Sequence, residues 1–139
     1  FGLPFRKTPT RLAGYYKYKA GPSYTDKNSK VAEGKHDDFA IYAVLYEVTP
    51  QVPYLDGTNS LSSDNIMLKA ELENRKETNA WTHFAIDFKV VDGRKIDAKK
   101  LAEGKYNLAI IMSSSKDGAV FNGAVGSTLY VDEMELYYK

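Results

Sequence analysis

The chain has no cysteine, only two histidines and a single tryptophan among its 139 residues. Without cysteine it can form neither a disulfide framework nor a thiolate metal site, and a thiol nucleophile is excluded. Basic and acidic residues nearly balance, which gives a formal net charge of +1. Because nucleic-acid binding needs a concentrated basic surface, these scattered charges argue against a nucleic-acid partner. No apolar run is long enough to cross a bilayer, so we expect no membrane insertion by this segment.

Common catalytic and nucleotide-binding motifs are also missing. The sequence contains no Gly-x-Gly-x-x-Gly or Walker loop for phosphates, and no Gly-x-Ser-x-Gly elbow for a serine nucleophile. It starts with FGLPF, without an initiator methionine or a signal peptide. We therefore expect a fragment of a longer protein that carries other domains on the same chain.

Aromatic residues are abundant, with eleven Tyr and six Phe. Tyr-rich, β-branched segments broken by Gly and Pro fit pleated sheets better than helices. The chain length suits one domain with one core, so we predict a single domain over residues 1–139. Period-two or wholly apolar patterns predict strands over 10–21, 39–48, 66–75, 81–91, 105–114 and the segment after 127.

One segment has a helical pattern. Asp97 suits a helix N-cap and Gly104 a left-handed C-terminus, which predicts a short helix near 97–103. Because parallel pairing would need a helix at every crossover, the other elements predict antiparallel pairing. The expected fold is an all-β, antiparallel two-sheet β-sandwich of the jelly-roll type.

The final strand, STLYVDEMEL, loses its alternation at Asp132 and Glu133, after which the apolar phase passes to Met134 and Leu136. A β-bulge produces such a slip. The simpler interpretation is that Asp132 hydrogen-bonds neighbouring amides. A ligand or metal role is the alternative. A structural Ca²⁺ would need six to eight oxygens, and no dense Asp-x-Asp-x-Asp spacing supplies them. We assign no metal and no cofactor, although four acids could supply some of these oxygens: Asp56, Asp64, Asp117 and Asp132.

Four segments carry a family resemblance: RLAGYYKYKAG, DDFAIYAVLYE, LDGTN and SSSKDGAVFNGAVGSTLYVDE. In this order they resemble the putative carbohydrate metabolism domain of Bacteroides-type surface and periplasmic proteins, and the final strand is similar to that of jelly-roll carbohydrate-binding modules. The resemblance implies export to the cell surface or periplasm, and an oligo- or polysaccharide as partner.

A sugar site needs an aromatic platform with flanking polar groups. The outward phase of the 81–91 segment carries Trp81, His83 and Asp87, and Tyr15 on the first predicted strand could share their surface. For Trp81 the alternative is a rim position that closes the end of the core. For His83 it is a solvated strand position.

Two further groups complete the predicted ligand-binding set. Tyr42 and Tyr46 lie on the second phase of their strand and face either a sugar or a covering loop. Asp117 and Phe121 lie in a long Gly-containing loop of the kind that often carries function, although tight turns alone would explain its glycines.

A carbohydrate-binding module in glycan capture or utilisation is the preferred function. A glycoside hydrolase is the alternative, because paired carboxylates could come from several acids, although no spacing distinguishes any of them: Asp37, Asp38, Glu47, Glu71, Asp87 and Asp117. No catalytic residue is assigned. A structural or adhesive surface module is the second alternative.

Overall fold

The computed structural model describes all of residues 1–139, which form ten strands, one α-helix and one short 3₁₀ helix (Gly118–Val120). Strand makes up 45% of the chain and helix 6%, which confirms the predicted all-β class with one short helix. The elements are β1 (Leu3–Pro4), β2 (Pro9–Lys19), β3 (Tyr24–Thr25), β4 (Ala40–Glu47), β5 (Ile66–Glu71), β6 (Thr78–Asp87), β7 (Lys89–Val90), α1 (Ala98–Ala102), β8 (Tyr106–Ser113), β9 (Gly123–Ala124) and β10 (Thr128–Tyr138).

Two antiparallel sheets form the sandwich. The larger has the order β1-β8-β4-β5-β7, the smaller has the order β10-β2-β6, and β3 pairs with β9 in a separate two-stranded ribbon. Every pairing is antiparallel. The predicted antiparallel β-sandwich is therefore confirmed.

The core between the sheets is aromatic at its centre. Alternation along β2 turns Tyr16 and Tyr18 inward, and both are almost fully buried. Their rings lie 4.9 Å and 4.8 Å from the ring of Phe39, which precedes β4 and has no exposed surface. Phe84 of β6 packs on the same cluster. Burial of such rings supplies a large share of the apolar area removed from water.

The other face of the larger sheet is covered by chain. Residues 49–65 cross the outward side of β4, where Leu55 is fully buried against Tyr46. A strand with two apolar faces needs cover on both sides, and β4 has it. The smaller sheet has no such cover and leaves its outer face open.

The short helix forms as its sequence predicts. The Asp97 side chain accepts a hydrogen bond from the Lys100 amide at 2.9 Å, and Gly104 follows the helix with φ +72°. None of the helices is long and apolar enough to cross a membrane.

Candidate functional site: an aromatic face on the smaller sheet

The outer surface of the three-stranded sheet carries a group of aromatic and charged side chains. Odd-numbered residues of β2 and β6 point outward, and the register places Tyr15 between His83 of β6 and Asp132 of β10. Tyr130 lies opposite Lys17. Directly opposed residues share one side of a sheet, so these side chains form one surface. We call this surface the aromatic face, defined by Tyr15, Lys17, Trp81, His83, Tyr130 and Asp132.

A depression of about 210 Å³ lies in the aromatic face. Its four lining residues are Tyr15, Trp81, Asp132 and Glu133. Trp81 is 48% exposed and Tyr15 is 36% exposed, so both rings are open to a ligand. This depression, which we call the aromatic pocket, combines two rings with two carboxylates.

A β-bulge in β10 shapes one wall of the aromatic pocket. The β2–β10 register shifts between Asp132 and Glu135, and Glu133 has φ +50°. The Asp132 carboxylate accepts a hydrogen bond from the Glu133 amide at 2.8 Å, as the simpler interpretation of the sequence expected. The predicted bulge is confirmed, and it returns Met134 to the core. Because the bulge inserts a residue, two consecutive acids line the pocket instead of one.

Side-chain contacts hold the aromatic face together. The Tyr15 and His83 rings pack edge to face with centroids 5.1 Å apart. The Lys17 ammonium lies 4.5 Å from the centre of the Trp81 ring and 5.1 Å from that of Tyr130, a cation–π arrangement with two rings. These contacts limit the rotamers of the platform before any ligand arrives.

Asp87 lies on the same side of β6 but away from the aromatic pocket. Its carboxylate pairs with the Arg11 guanidinium at 2.9 Å, and this hydrogen bond raises the pKa of Arg11 above its ordinary value. Both side chains are more than half exposed, so the pair contributes little to stability. Asp87 therefore forms an ion pair with Arg11 and does not line the aromatic pocket.

Tyr42 and Tyr46 do not belong to this surface. They are 6% and 0% exposed and lie beneath residues 49–65, where the Tyr42 hydroxyl bonds the Ser60 hydroxyl and the Tyr46 hydroxyl donates to the Phe1 carbonyl. Of the two alternatives that the sequence left open for these tyrosines, a sugar or a covering loop, the structure has the loop, so they share no ligand surface with Trp81.

Asp117 and Phe121 lie in the loop between β8 and β10 and do not line the aromatic pocket. Asp117 pairs with Lys116 at 2.8 Å. Phe121 is 79% exposed and has φ +62°, a left-handed conformation that is uncommon for a residue with a side chain. The structure therefore separates these two residues from the Trp81 group.

Sequence reasoning missed the role of Asp37. Asp37 lies in a polar segment between β3 and β4, yet it is only 6% exposed. One of its oxygens accepts hydrogen bonds from the Ser115 hydroxyl at 2.6 Å, the Ser127 hydroxyl at 2.6 Å and the Ala124 amide at 2.9 Å. These partners fix the Gly-rich loop that leads into β10. The three serines of that loop were the only sequence signal.

Tyr18 gives the same loop a second anchor. Its hydroxyl donates to the Ser114 carbonyl at 2.8 Å, and burial raises the pKa of this phenol above its ordinary value. The hydroxyl thus stays protonated and keeps its hydrogen bond.

No cluster of three or more His, Asp or Glu side chains that could hold a metal ion occurs in the structure. The four acids considered for calcium do not converge.

Comparison with known proteins decides the family. A family model described as "Putative carbohydrate metabolism domain" matches residues 1–137. The chain belongs to this family. It is therefore a carbohydrate-metabolism-related domain, and the resemblance noted in its four sequence segments is confirmed.

Two solved structures are similar to this putative carbohydrate metabolism domain over its whole length. One is a putative glycoside hydrolase from Bacteroides thetaiotaomicron VPI-5482, with 52% identity and a TM-score of 0.96. The other is a putative glycoside hydrolase from Bacteroides vulgatus ATCC 8482, with 44% identity and a TM-score of 0.90. The domain spans 40% of the first protein's chain and 56% of the second's. A comparison with curated proteins finds no match.

Proposed function

We propose that the domain is a carbohydrate-binding module that holds a glycan on its aromatic face and acts in glycan capture or utilisation. The observation that carries this proposal is the pair of open rings, Trp81 and Tyr15, beside the carboxylates of Asp132 and Glu133. A pyranose presents an apolar face that stacks on a ring and a rim of hydroxyls that donate to carboxylates. The aromatic pocket offers both kinds of partner.

One larger depression lacks this chemistry. A groove of about 590 Å³ runs between β5 and the β6–β7 segment, and no aromatic side chain lines it. Size alone does not select a sugar site, because a flat saccharide binds on an open platform as well as in a deep cleft. The family and the two Bacteroides neighbours support a saccharide partner, and with it we propose export to the cell surface or periplasm.

A glycan array followed by titration calorimetry tests the proposal. We expect at least one polysaccharide to bind, and Trp81→Ala to weaken its affinity by about tenfold or more, because truncation of an aromatic anchor removes a major contact. Tyr54→Ala is the matched control, since Tyr54 is 65% exposed and lies outside the aromatic face. Absence of binding to every plant, host and microbial glycan tested would reject the proposal and favour a structural or adhesive module.

Glycoside hydrolysis is the second candidate, because both similar structures are of putative glycoside hydrolases. The 590 Å³ groove has Glu71, Glu73 and Asp87 on its walls, and hydrolysis requires two carboxylates about 5 to 10 Å apart. Asp87 already forms an ion pair with Arg11 at 2.9 Å, whereas Glu71 and Glu73 form none. Release of reducing sugar that Glu71→Gln or Glu73→Gln abolishes, while Trp81→Ala leaves it intact, would favour the enzyme.

A further inference from the structure

The two carboxylates of the aromatic pocket have no cationic partner. The four ion pairs of the structure all involve other residues. The Glu133 amide is the only protein donor to Asp132, and the Glu133 carboxylate has none. Both residues are exposed, so water now solvates the charges. The pocket is thus the acidic part of the aromatic face, and a ligand cation could bind there without displacing an existing pair.

The aromatic face already holds one ammonium group of its own. Lys17 forms no ion pair, and its Nζ lies near the rings of Trp81 and Tyr130 at 4.5 Å and 5.1 Å. Cation–π attraction is strongest at Trp and operates at such distances. Lys17 does not line the aromatic pocket, so the Tyr15 side of Trp81 is left to a ligand. An ammonium on that side would meet aromatic rings and two carboxylates, a richer set of partners than Lys17 has.

We propose that the aromatic pocket binds a glycan that carries free amino groups, with a protonated hexosamine amine between the rings and the carboxylates of Asp132 and Glu133. This inference rests on the proposed function and names its ligand class. A hexosamine stacks through its ring like any pyranose, and its ammonium adds charge-assisted hydrogen bonds to the carboxylates. N-acetylation removes that charge, and a uronic acid reverses it. The pocket should therefore rank glycans by charge in the order amino, neutral, acidic.

The test compares two glycans of equal length, the hexamer of glucosamine and the hexamer of N-acetylglucosamine, by titration calorimetry. At roughly pH 5.5 ordinary carboxylates are ionised, and most of the sugar amines are protonated. We expect the glucosamine hexamer to bind at least about fivefold more tightly than its acetylated counterpart. Raising the salt from about 50 mM to 500 mM should reduce that ratio, because screening weakens exposed charge pairs.

Variants assign the preference to the pocket. Asp132→Asn with Glu133→Gln should bring the two hexamers within about twofold of each other. The matched control is Asp92→Asn with Glu103→Gln, which changes the net charge equally outside the pocket and should keep the wild-type ratio. The Trp81 fluorescence spectrum of each variant verifies an intact aromatic face.

Three results would overturn the inference while leaving the proposed function standing: equal affinity for the two hexamers, tighter binding of the acetylated one, or a preference that survives in the pocket variant. If neither hexamer binds but another glycan does in a Trp81-dependent way, the inference likewise fails and the proposed function stands. Failure of every glycan to bind would instead reject the proposed function itself.

Discussion

Replacing Asp37 by alanine tests the claim that one buried carboxylate fixes the loop before β10. Asp37 is 6% exposed, and three donors converge on a single oxygen of its side chain. Two of the donors are serine hydroxyls in a partly exposed region, whereas the Ala124 amide is buried. The substitution removes the acceptor from all three at once and leaves a small cavity.

The expected loss follows mainly from these three donors. The Asp38 amide, which donates to the other carboxylate oxygen at 2.9 Å, is only partly buried and adds little. A stranded buried amide costs about 1 to 3 kcal/mol. The two hydroxyls can rotate towards water, so each should cost nearer 1 kcal/mol. The sum is about 3 to 5 kcal/mol, a large fraction of the roughly 5 to 15 kcal/mol that holds a typical domain folded. Asp37→Asn keeps one carbonyl oxygen and should lose about half as much.

Urea unfolding monitored by Trp81 fluorescence measures this loss, and an unchanged dependence on urea concentration would show that both states keep their compactness. Ser115→Ala alone should cost about 1 kcal/mol and should cost almost nothing in the Asp37→Ala background, because the Ser115 hydroxyl has Asp37 as its only hydrogen-bond partner. Asp92→Ala is the control, since Asp92 is exposed and unpaired. A loss below about 1 kcal/mol for Asp37→Ala would refute the reasoning.

Three further predictions concern other parts of the molecule. Phe39→Ala should lower the free energy of unfolding measured in urea by about 3 to 5 kcal/mol, because it leaves a cavity between two tyrosine rings. A loss near zero would mean that the core repacks there. Gly21→Ala should cost about 2 kcal/mol or more by the same assay, because its Cβ would lie 2.2 Å from the Val125 carbonyl oxygen. The control is Gly118→Ala, whose Cβ would meet the Ser115 side chain at 3.6 Å, an ordinary van der Waals distance, and which should cost less; similar losses would contradict the predicted clash. The hydrogen bond from the Lys100 amide lowers the pKa of Asp97. The stabilisation by the ionised Asp97 is therefore present above the unfolded pKa of about 3.9 and is lost as the pH falls through the folded value. The thermal midpoint of the wild type should fall more between pH 6 and pH 3 than that of Asp97→Asn, and parallel curves would reject this prediction.

The sheets could be predicted from the sequence because side-chain period is a local property. Alternation along β2 predicted the buried and exposed sides correctly, and the slip at Asp132 predicted a bulge. The pattern could not show that β6 ends at Asp87 and that β7 passes into the other sheet. Val90, which continues the even-numbered apolar phase of residues 84–90, is 60% exposed for that reason.

The candidate site was predicted in part, and the limits have physical causes. Trp81, His83 and Tyr15 meet because β2 and β6 are neighbours, as the shared surface required. Tyr42 and Tyr46 are tyrosines on an alternating strand, as Tyr15 is. Their burial depends on the loop that covers the strand, and nothing in residues 39–48 specifies that loop. Asp37 finds its partners almost eighty residues or more along the chain, beyond the reach of local patterns.

The pairing of β2 with β10 has a consequence for how the protein is made. Most of the chain's length separates these two strands, yet they are hydrogen-bonded neighbours along the whole of the smaller sheet. During synthesis β2 leaves the ribosome well before β10, and one of its sides stays unpaired until β10 is complete. Such long-range closure slows folding and exposes a strand edge meanwhile. Chaperones that shield extended segments should therefore raise the yield of folded domain more than its modest size would suggest.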